Sequence, residues 1–452
     1  MIDLTIRGGT LVTPRGRVRA DLHVQDGRIV ALGALDAQVR EVVDAGGLLV
    51  LPGAVDSHVH FMDPGEPDRE DFTTGSAAAA VGGVTTVVEH THAAPVREAG
   101  ELREKVAYLR RRSLVDYALA AHVWPDRLGE LRALWESGAA YLKVFTCATH
   151  GVPALHPGHL LRCLREVARC GGLVLAHCED DALTREREEA LRGAGRTDYG
   201  VIPEWRVREA EALAATQVAL LARWTGARVI IAHTSHPEVV HLVARERALG
   251  ARVWVESCPQ YFYIREDEVL EHGPFRKFTP PARLRGPEDA QEMWRLLASG
   301  AITHISTDHA PSTREQKRRG DIWTCPFGLP GVETTLALML HAAHEGQITY
   351  ERVVEAFCEE PARLLGLYPR KGALLPGSDA DVALVDPGLR RILRDDQVIS
   401  KAGWTPYAGR EVVGAPVAVW CRGRLVAREG RPQGEAGWGQ WVPGPGAGPE
   451  HR

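Results

Sequence analysis

The chain lacks the features that mark secreted, membrane-bound or nucleic-acid-binding proteins. Its eight cysteines are scattered, without CxxC pairs or the spacing of a disulfide framework. No apolar run approaches the roughly 20 residues that a membrane helix needs, and residues 1–4 do not begin a secretory signal. The net charge of −5 provides no basic field for nucleic acid. These absences predict a reduced, cytoplasmic protein with neither a membrane nor a nucleic-acid partner.

Lysine is also scarce, because only six of the 54 basic residues are lysines. Genome composition alone could produce this bias, but it makes each lysine position worth inspecting. The 452 residues, 44% hydrophobic and 25% charged, are ordinary for a soluble globular protein. This length predicts one large domain and a smaller one.

Both ends of the chain have the alternation of apolar and polar residues that is typical of strands. In residues 1–50, an Asp26-Gly27 pair between two such runs indicates a β-hairpin. The same pattern returns between 371 and 430. We therefore predict a small β-sandwich domain formed by the N- and C-terminal segments, 1–50 and 371–430. The Gly- and Pro-rich segment 431–452 is predicted to be a flexible tail.

The segment 51–370 alternates short β-branched runs with helix-length amphipathic stretches. Eight strands alternating with helices are typical of an α/β protein with a (β/α)8 TIM barrel. A doubly wound open sheet is the alternative, but no Gly-x-Gly-x-x-Gly motif follows the first strand. The predicted barrel strands are 54–61, 84–89, 117–123, 141–146, 173–178, 229–233, 253–257 and 302–308.

His58 and His60 form a His-x-His pair in the first predicted barrel strand. Side chains two residues apart in a strand point the same way, so the two imidazoles could bind one metal ion. The pair alone is equally compatible with two hydrogen-bonded core histidines. Other polar residues end further predicted strands, which is where barrels place reactive groups. Together they favour a metal site whose remaining candidates are Lys143, His177, His233 and Asp308.

Four imidazoles and one carboxylate would bind two zinc-like divalent ions, which need a bridging anion. A protonated lysine cannot bind a metal, but a desolvated lysine has a lowered pKa, and its neutral amine can react with CO2. The carbamate that results is a bridging carboxylate. Carbamylation would explain why Lys143 stands among Leu142, Val144 and Phe145.

These motifs resemble the amidohydrolase superfamily, in its cyclic amidohydrolase branch of hydantoinases, dihydropyrimidinases, allantoinases and dihydroorotases. The resemblance covers about residues 1–430 and is strongest to hydantoinase-like members. It rests on residues 52–60 around the His-x-His pair, on 142–145 around Lys143, and on 328–333. Residues 307–311, Thr-Asp-His-Ala-Pro, are closer to dihydroorotases.

The resemblance implies a hydrolase that opens a cyclic amide or ureide to a carbamoyl or ureido acid, and it implies a homo-oligomer, a dimer or tetramer. It implies that Asp308 accepts a proton from the attacking water and delivers it to the leaving ring nitrogen. The implied ligands are His58, His60, Lys143 and Asp308 for one metal ion, and Lys143, His177 and His233 for the other.

Three departures from the family patterns bear on the substrate. Dihydroorotases carry an Arg just after the second His, where this chain has Phe61-Met62, so an Arg from elsewhere, such as Arg283 or Arg285, would have to replace it. Hydantoinases carry a Tyr that stabilises the oxyanion five residues beyond the Lys, where this chain has Ala148. Losing such a donor costs about 10²–10³ in rate unless it is replaced. Allantoinases also lack the Tyr, so an allantoinase stays an alternative, as does a dihydroorotase-like enzyme.

The third departure is Phe327, which stands where hydantoinases place an Asn that binds the ring. Phe327 indicates an apolar wall that suits a hydrophobic or aryl substituent. We hypothesise that His150 or Thr149 replaces the missing oxyanion donor, with a solvated loop histidine as the alternative. A metal-free scaffold homologue is a further alternative, but every ligand position is filled. The predicted substrate contacts are His90, Thr149, His150, Ser257, Phe327 and Gly328.

Overall fold

The computed structural model describes residues 1–448, and its first strands belong to two sheets that lie outside the barrel. Apolar side chains of these strands, such as Leu4, Ile6 and Leu22, form a core of their own. The strands are β1 (Ile2–Arg7), β2 (Thr10–Thr13), β3 (Gly16–Arg19), β4 (Leu22–Gln25), β5 (Arg28–Leu32), β6 (Val39–Asp44) and β7 (Leu49–Pro52).

The middle of the chain forms the predicted barrel. Its strands are β8 (Ala54–Val59), β9 (Val84–Glu89), β10 (Asp116–Leu119), β11 (Ala121–His122), β12 (Leu142–Phe145), β13 (Leu173–His177), β14 (Arg228–Ile231), β15 (Val253–Ser257) and β16 (His304–Ile305). These strands pair in parallel in the orders β10-β9-β8 and β11 to β16. The third predicted strand is divided into two at Ala120, since β10 pairs with β9 whereas β11 pairs with β12. The His60 N–H donates to the His309 carbonyl at 2.7 Å, which links the first strand to the last.

Helix boundaries coincide with residues that favour the start or the end of a helix. Helix α4 (Pro157–Cys170) begins at Pro157, buries Leu160, Leu164 and Val167 on one face, and is capped by Gly171, which has φ of 68°. Across residues 1–448, no helix is both long and apolar enough to cross a bilayer. The helices are α1 (Phe72–Val81), α2 (Ala99–Leu109), α3 (Leu131–Glu136), α4 (Pro157–Cys170), α5 (Asp181–Gly193), α6 (Val201–Trp205), α7 (Arg208–Thr225), α8 (Pro237–Ala248), α9 (Gln260–Tyr263), α10 (Glu268–His272), α11 (Pro287–Ala298), α12 (Arg314–Lys317), α13 (Thr335–His344), α14 (Tyr350–Val354) and α15 (Glu360–Leu364), with a π-helical turn (Glu355–Glu359) joining the last two.

The chain then returns to the sheets with which it began. The last strands are β17 (Val382–Ile392), β18 (Glu411–Cys421), β19 (Arg424–Arg428) and β20 (Arg431–Pro432). Strand β7 pairs with β17, so the two ends of the chain share one sheet of order β20-β19-β18-β17-β7-β2-β3. The other sheet has the order β5-β4-β1-β6.

The Gly- and Pro-rich C-terminal segment differs from the prediction of a flexible tail. The Tyr117 N–H donates to the Gln440 carbonyl (2.9 Å), and the Val442 N–H donates to the Tyr117 carbonyl (2.7 Å), so this segment runs beside β10. At Gly439, a Cβ would lie 1.9 Å from a barrel carbonyl oxygen. The glycines therefore permit close packing rather than mobility. The end of the predicted tail, 449–452, lies outside the described residues.

A buried ionic cluster joins the barrel to the sheets. The Lys371 ammonium lies 2.5 Å from Asp116 of β10, 2.7 Å from Asp381 and 3.1 Å from Asp379. Burial lowers the pKa of Lys371, but the carboxylates outweigh burial and raise its pKa above the ordinary value. The three carboxylates could hold a metal ion, but Lys371 already supplies their counter-charge.

Replacing Lys371 with Met is expected to lower the free energy of unfolding by about 3–5 kcal/mol, because the buried carboxylates lose the one cation that all three share. Urea denaturation measures this change. Lys401→Met is the matched control, since the Lys401–Asp71 pair (2.6 Å) is partly exposed and such pairs contribute about 0–1 kcal/mol. Equal stability of the two variants would show that the cluster does not hold the two parts together.

Candidate metal centre

The six predicted metal ligands meet at the carboxyl ends of the barrel strands. His58, Lys143 and His177 lie within β8, β12 and β13, and the other three follow their strands within three residues. Parallel strands bring these ends to one side of the barrel. One cavity of about 250 Å³ is lined by all of them, namely His58, His60, Lys143, His177, His233 and Asp308.

Hydrogen bonds orient the His-x-His pair toward the cavity. His58 Nδ1 lies 2.7 Å from Glu256 Oε1, and His60 Nδ1 lies 3.0 Å from the His90 carbonyl. Since both partners can only accept, each Nδ1 carries the proton and each Nε2 keeps a lone pair. Both Nε2 atoms lie 3.2 Å from Asp308 Oδ1. This is how outer hydrogen bonds orient metal-binding histidines.

The second imidazole pair is arranged in a similar way. His177 Nε2 lies 3.0 Å from Glu179 Oε2, so the proton is on Nε2 and Nδ1 keeps its lone pair. His177 Nδ1 lies 3.0 Å from His233 Nε2. Glu179 stays ionised between two buried guanidinium groups, Arg206 at 2.7 Å and Arg283 at 2.6 Å.

Lys143 lies beside these imidazoles as a buried amine. Its Nζ is 3.4 Å from His58 Nε2. Burial lowers the pKa of Lys143 to about 8 and, together with the nearby Lys143 amine, lowers the pKa of His58 to about 4. Neutral imidazoles, a carboxylate and a readily deprotonated amine form a donor set that fits divalent metal ions.

Left-handed backbone occurs at four residues that line this cavity. The φ angles are 58° at Met62, 52° at His150, 35° at His233 and 48° at Asp308. Residues other than glycine rarely adopt such angles, and they concentrate at functional sites, where the surrounding structure holds the strain. The backbone is thus held in an unfavourable conformation at two predicted ligands.

Comparison with known proteins identifies the family. The sequence matches the model described as the amidohydrolase family over residues 49–426. The chain belongs to the amidohydrolase family.

Relatives of this amidohydrolase cover nearly all of its length. It is 34% identical to an L-hydantoinase of Paenarthrobacter aurescens over 98% of both chains and 36% identical to an allantoinase of Rubrobacter xylanophilus over 95% of both. It is 37% identical to a dihydroorotase of Halobacterium salinarum, over 91% of this chain and 94% of that one. The solved L-hydantoinase (dihydropyrimidinase) from Arthrobacter aurescens has a TM-score of 0.94 at 34% identity and covers 98% of this chain and 100% of that one.

These comparisons confirm the predicted family, the TIM barrel and the enzyme class. The amidohydrolase is a hydrolase of carbon–nitrogen bonds in cyclic amides, and its family together with its clustered histidines supports a divalent metal cofactor.

The predicted substrate contacts divide into two groups. His150, Phe327 and Gly328 line the cavity. Thr149 does not line the cavity, and its backbone pairs with that of Val152 within its own loop. The Ser257 hydroxyl donates to the Thr234 carbonyl at 2.8 Å, and His90 is buried against the rings of His58 and His60.

Several residues of the site were not predicted from the sequence. The carboxylates of Glu256 and Glu179, which orient the ligands, could have been noticed as acidic residues in or next to apolar strands. Arg69 and Glu66 line the cavity from the loop before α1, where no pattern pointed to them. Neither Arg283 nor Arg285 is free to replace the dihydroorotase arginine, since the first is paired with Glu179 and Glu211 and the second with Glu266.

Proposed function

We propose that this enzyme hydrolyses the ring amide of a 5-substituted hydantoin to a ring-opened carbamoyl acid, using two zinc ions bridged by carbamylated Lys143. The observation that carries the proposal is that two pairs of imidazoles lie together beside one buried amine, with their outer ring nitrogens fixed by hydrogen bonds. The proposal retains the sequence-based expectations of a cytoplasmic location and a homo-oligomer. The residues that would hold the ions are His58, His60, Lys143 and Asp308 for one, and Lys143, His177 and His233 for the other.

When bound, the metal ions would polarise the ring carbonyl and lower the pKa of water. Asp308 accepts the proton of the attacking water and delivers it to the ring nitrogen as the C–N bond breaks. Burial raises the pKa of Asp308, but the polar groups around it, among them the Lys143 amine, outweigh burial, so its pKa lies below the ordinary value. The carboxylate is therefore ionised and ready to accept that proton at neutral pH. Glu256 and the His90 carbonyl keep the imidazoles in the correct tautomer throughout.

The substrate end of the cavity has an aromatic wall. The Phe327 ring lies edge-on to His150 at 5.6 Å between centroids, and His150 stacks on His92 at 4.7 Å. Lys277 Nζ lies 4.2 Å from the centroid of Phe327 and supports it. Flat rings of this kind suit an aryl substituent, and one curated relative, 33% identical over 97% of both chains, is a D-phenylhydantoinase of Escherichia coli.

Allantoin is the second candidate substrate. Arg69 and Glu66 face the same cavity and are 2.7 Å apart. Such a pair offers both donors and acceptors, which a polar ureide substituent would use better than an aryl group.

A hydrolysis screen distinguishes these candidates. Zinc- and bicarbonate-loaded enzyme would be assayed with 5-phenylhydantoin, 5-methylhydantoin, dihydrouracil, allantoin and dihydroorotate. The proposal expects the highest kcat/KM for 5-phenylhydantoin. Allantoin as the best substrate would favour the second candidate, and turnover of none of the five would contradict both.

His150 is expected to donate the hydrogen bond that stabilises the oxyanion. Burial lowers its pKa well below the ordinary value, so its ring is neutral and carries one N–H. His150→Phe keeps an aromatic ring against His92 but removes that donor, so kcat should fall about 10²–10³-fold. Steady-state kinetics on the best substrate measure this change. The exposed His156 provides the control variant His156→Phe, and an unchanged kcat in His150→Phe would contradict the role.

A further inference from the structure

His90 is a buried histidine that the mechanism above does not use through its ring. It follows β9 directly and is fully buried. Its ring centroid lies 4.5 Å from that of His58 and 4.4 Å from that of His60. Each of the three residues offers a ring nitrogen within 4.8 Å of the other two.

Hydrogen bonding determines which nitrogen of His90 carries the proton. The Tyr141 hydroxyl lies 2.7 Å from the Ser57 carbonyl oxygen and 3.0 Å from His90 Nδ1. The hydroxyl has one proton, and it donates this proton to the carbonyl, which can only accept. His90 Nδ1 must therefore donate to Tyr141 Oη, and the lone pair is on His90 Nε2.

That lone pair has no hydrogen-bond partner within residues 1–448. A buried acceptor without a donor is unfavourable. His58 and His60 cannot supply the donor, because the Glu256 carboxylate and the His90 carbonyl hold their protons on Nδ1. A cation satisfies all three imidazoles at once, since each presents a lone pair.

We propose that His90 Nε2 is an additional ligand of the metal ion held by His58 and His60, which gives that ion three imidazoles. This assignment rests on the metal centre of the proposed function. It replaces the expectation that His90 contacts the substrate. An extra neutral ligand adds affinity without charge, so this ion is held more tightly than it would be by His58, His60 and Asp308 alone.

Cobalt(II) substitution tests the assignment by counting imidazoles. In the proton NMR spectrum of the fully loaded full-length protein, each metal-bound imidazole contributes one exchangeable, strongly shifted N–H signal. We expect one signal more than His58, His60, His177 and His233 account for. His90→Asn keeps a donor near the Nδ1 position but lacks Nε2, so it should lose that signal. Chelator competition should show that His90→Asn binds one of the two cobalt ions at least about 10-fold more weakly than the wild-type protein does.

Tyr141→Phe is the matched control, because it removes the hydrogen bond to Nδ1 and leaves Nε2 in place. It should keep the extra shifted ring resonances and most of the cobalt affinity. Only four N–H signals in the wild-type protein, with equal cobalt affinity in His90→Asn, would overturn the assignment while leaving the metal centre intact. Failure of the wild-type protein to bind cobalt at all would overturn the metal centre, and the assignment with it.

Discussion

Replacing Lys143 with Arg is expected to remove both the metal ions and the activity. Arginine keeps the positive charge and much of the length of lysine, but its guanidinium stays protonated and cannot form a carbamate. A fixed cation 3.4 Å from a metal-binding nitrogen would then repel divalent ions. We expect kcat/KM to fall more than about 10⁴-fold, beyond the range of acid–base catalysis alone. Elemental analysis should show the metal content fall from about two ions per chain, the number a binuclear site holds.

Lys105→Arg is the matched control for this substitution. Lys105 is also a buried lysine, but its ammonium is paired with Glu89 at 2.6 Å. A guanidinium can form that pair as well, so metal content and turnover should be retained. Full metal content and turnover in Lys143→Arg would contradict the bridging role. Reconstituting metal-free wild-type protein with zinc, with and without bicarbonate, tests the carbamate separately.

The candidate ligands could be proposed from the sequence because their positions depend on strand periodicity. His58 and His60 share a face at any strand twist, and barrel topology brings the ends of β12 and β13 beside them. The aromatic wall could be predicted only because Phe327 stands where the hydantoinase motif has an Asn. The inference about the ligands on the strands did not need the conformation of a loop.

The predictions that the structure corrected did depend on loop conformation and side-chain direction. Glycines near Gly439 indicated mobility, yet their lack of a side chain allows close contact with the barrel. His90 was expected to face the substrate, but its ring packs beside the His-x-His pair. Glu256 hydrogen-bonds His58, from which it is separated by 198 positions in the sequence. No local sequence pattern reveals this contact.

The scarcity of lysine has a structural counterpart. Buried lysines occupy positions where an amine has a specific partner, such as Lys371 among three carboxylates or Lys317, whose ammonium donates to the carbonyls of Lys277, Pro326 and Gly328. The hydrogen bond from Lys317 to the Gly328 carbonyl holds the loop that carries Phe327. The buried lysines of the chain are Lys105, Lys143, Lys277, Lys317 and Lys371.

Replacing Asp308 with Asn is expected to lower kcat about 10²–10⁴-fold, because the amide keeps the shape of the carboxylate but cannot accept the proton of the attacking water. Metal content should fall at most in part, since His177 and His233 do not depend on Asp308. Steady-state kinetics together with elemental analysis measure both effects. Asp68→Asn, at an exposed residue of the loop before α1, is the matched control. Retention of more than about a tenth of kcat would exclude Asp308 as the proton-transfer group.

The size of the Asp308→Asn defect should also depend on the leaving atom. A ring nitrogen must be protonated as its C–N bond breaks, whereas the oxygen of a cyclic ester can leave with less assistance because it is the weaker base. If Asp308 delivers the proton, the variant should lose less rate on a cyclic ester than on the matching cyclic amide. An equal loss on both substrates would mean that Asp308 acts only in accepting the proton from water, and that another group protonates the leaving nitrogen.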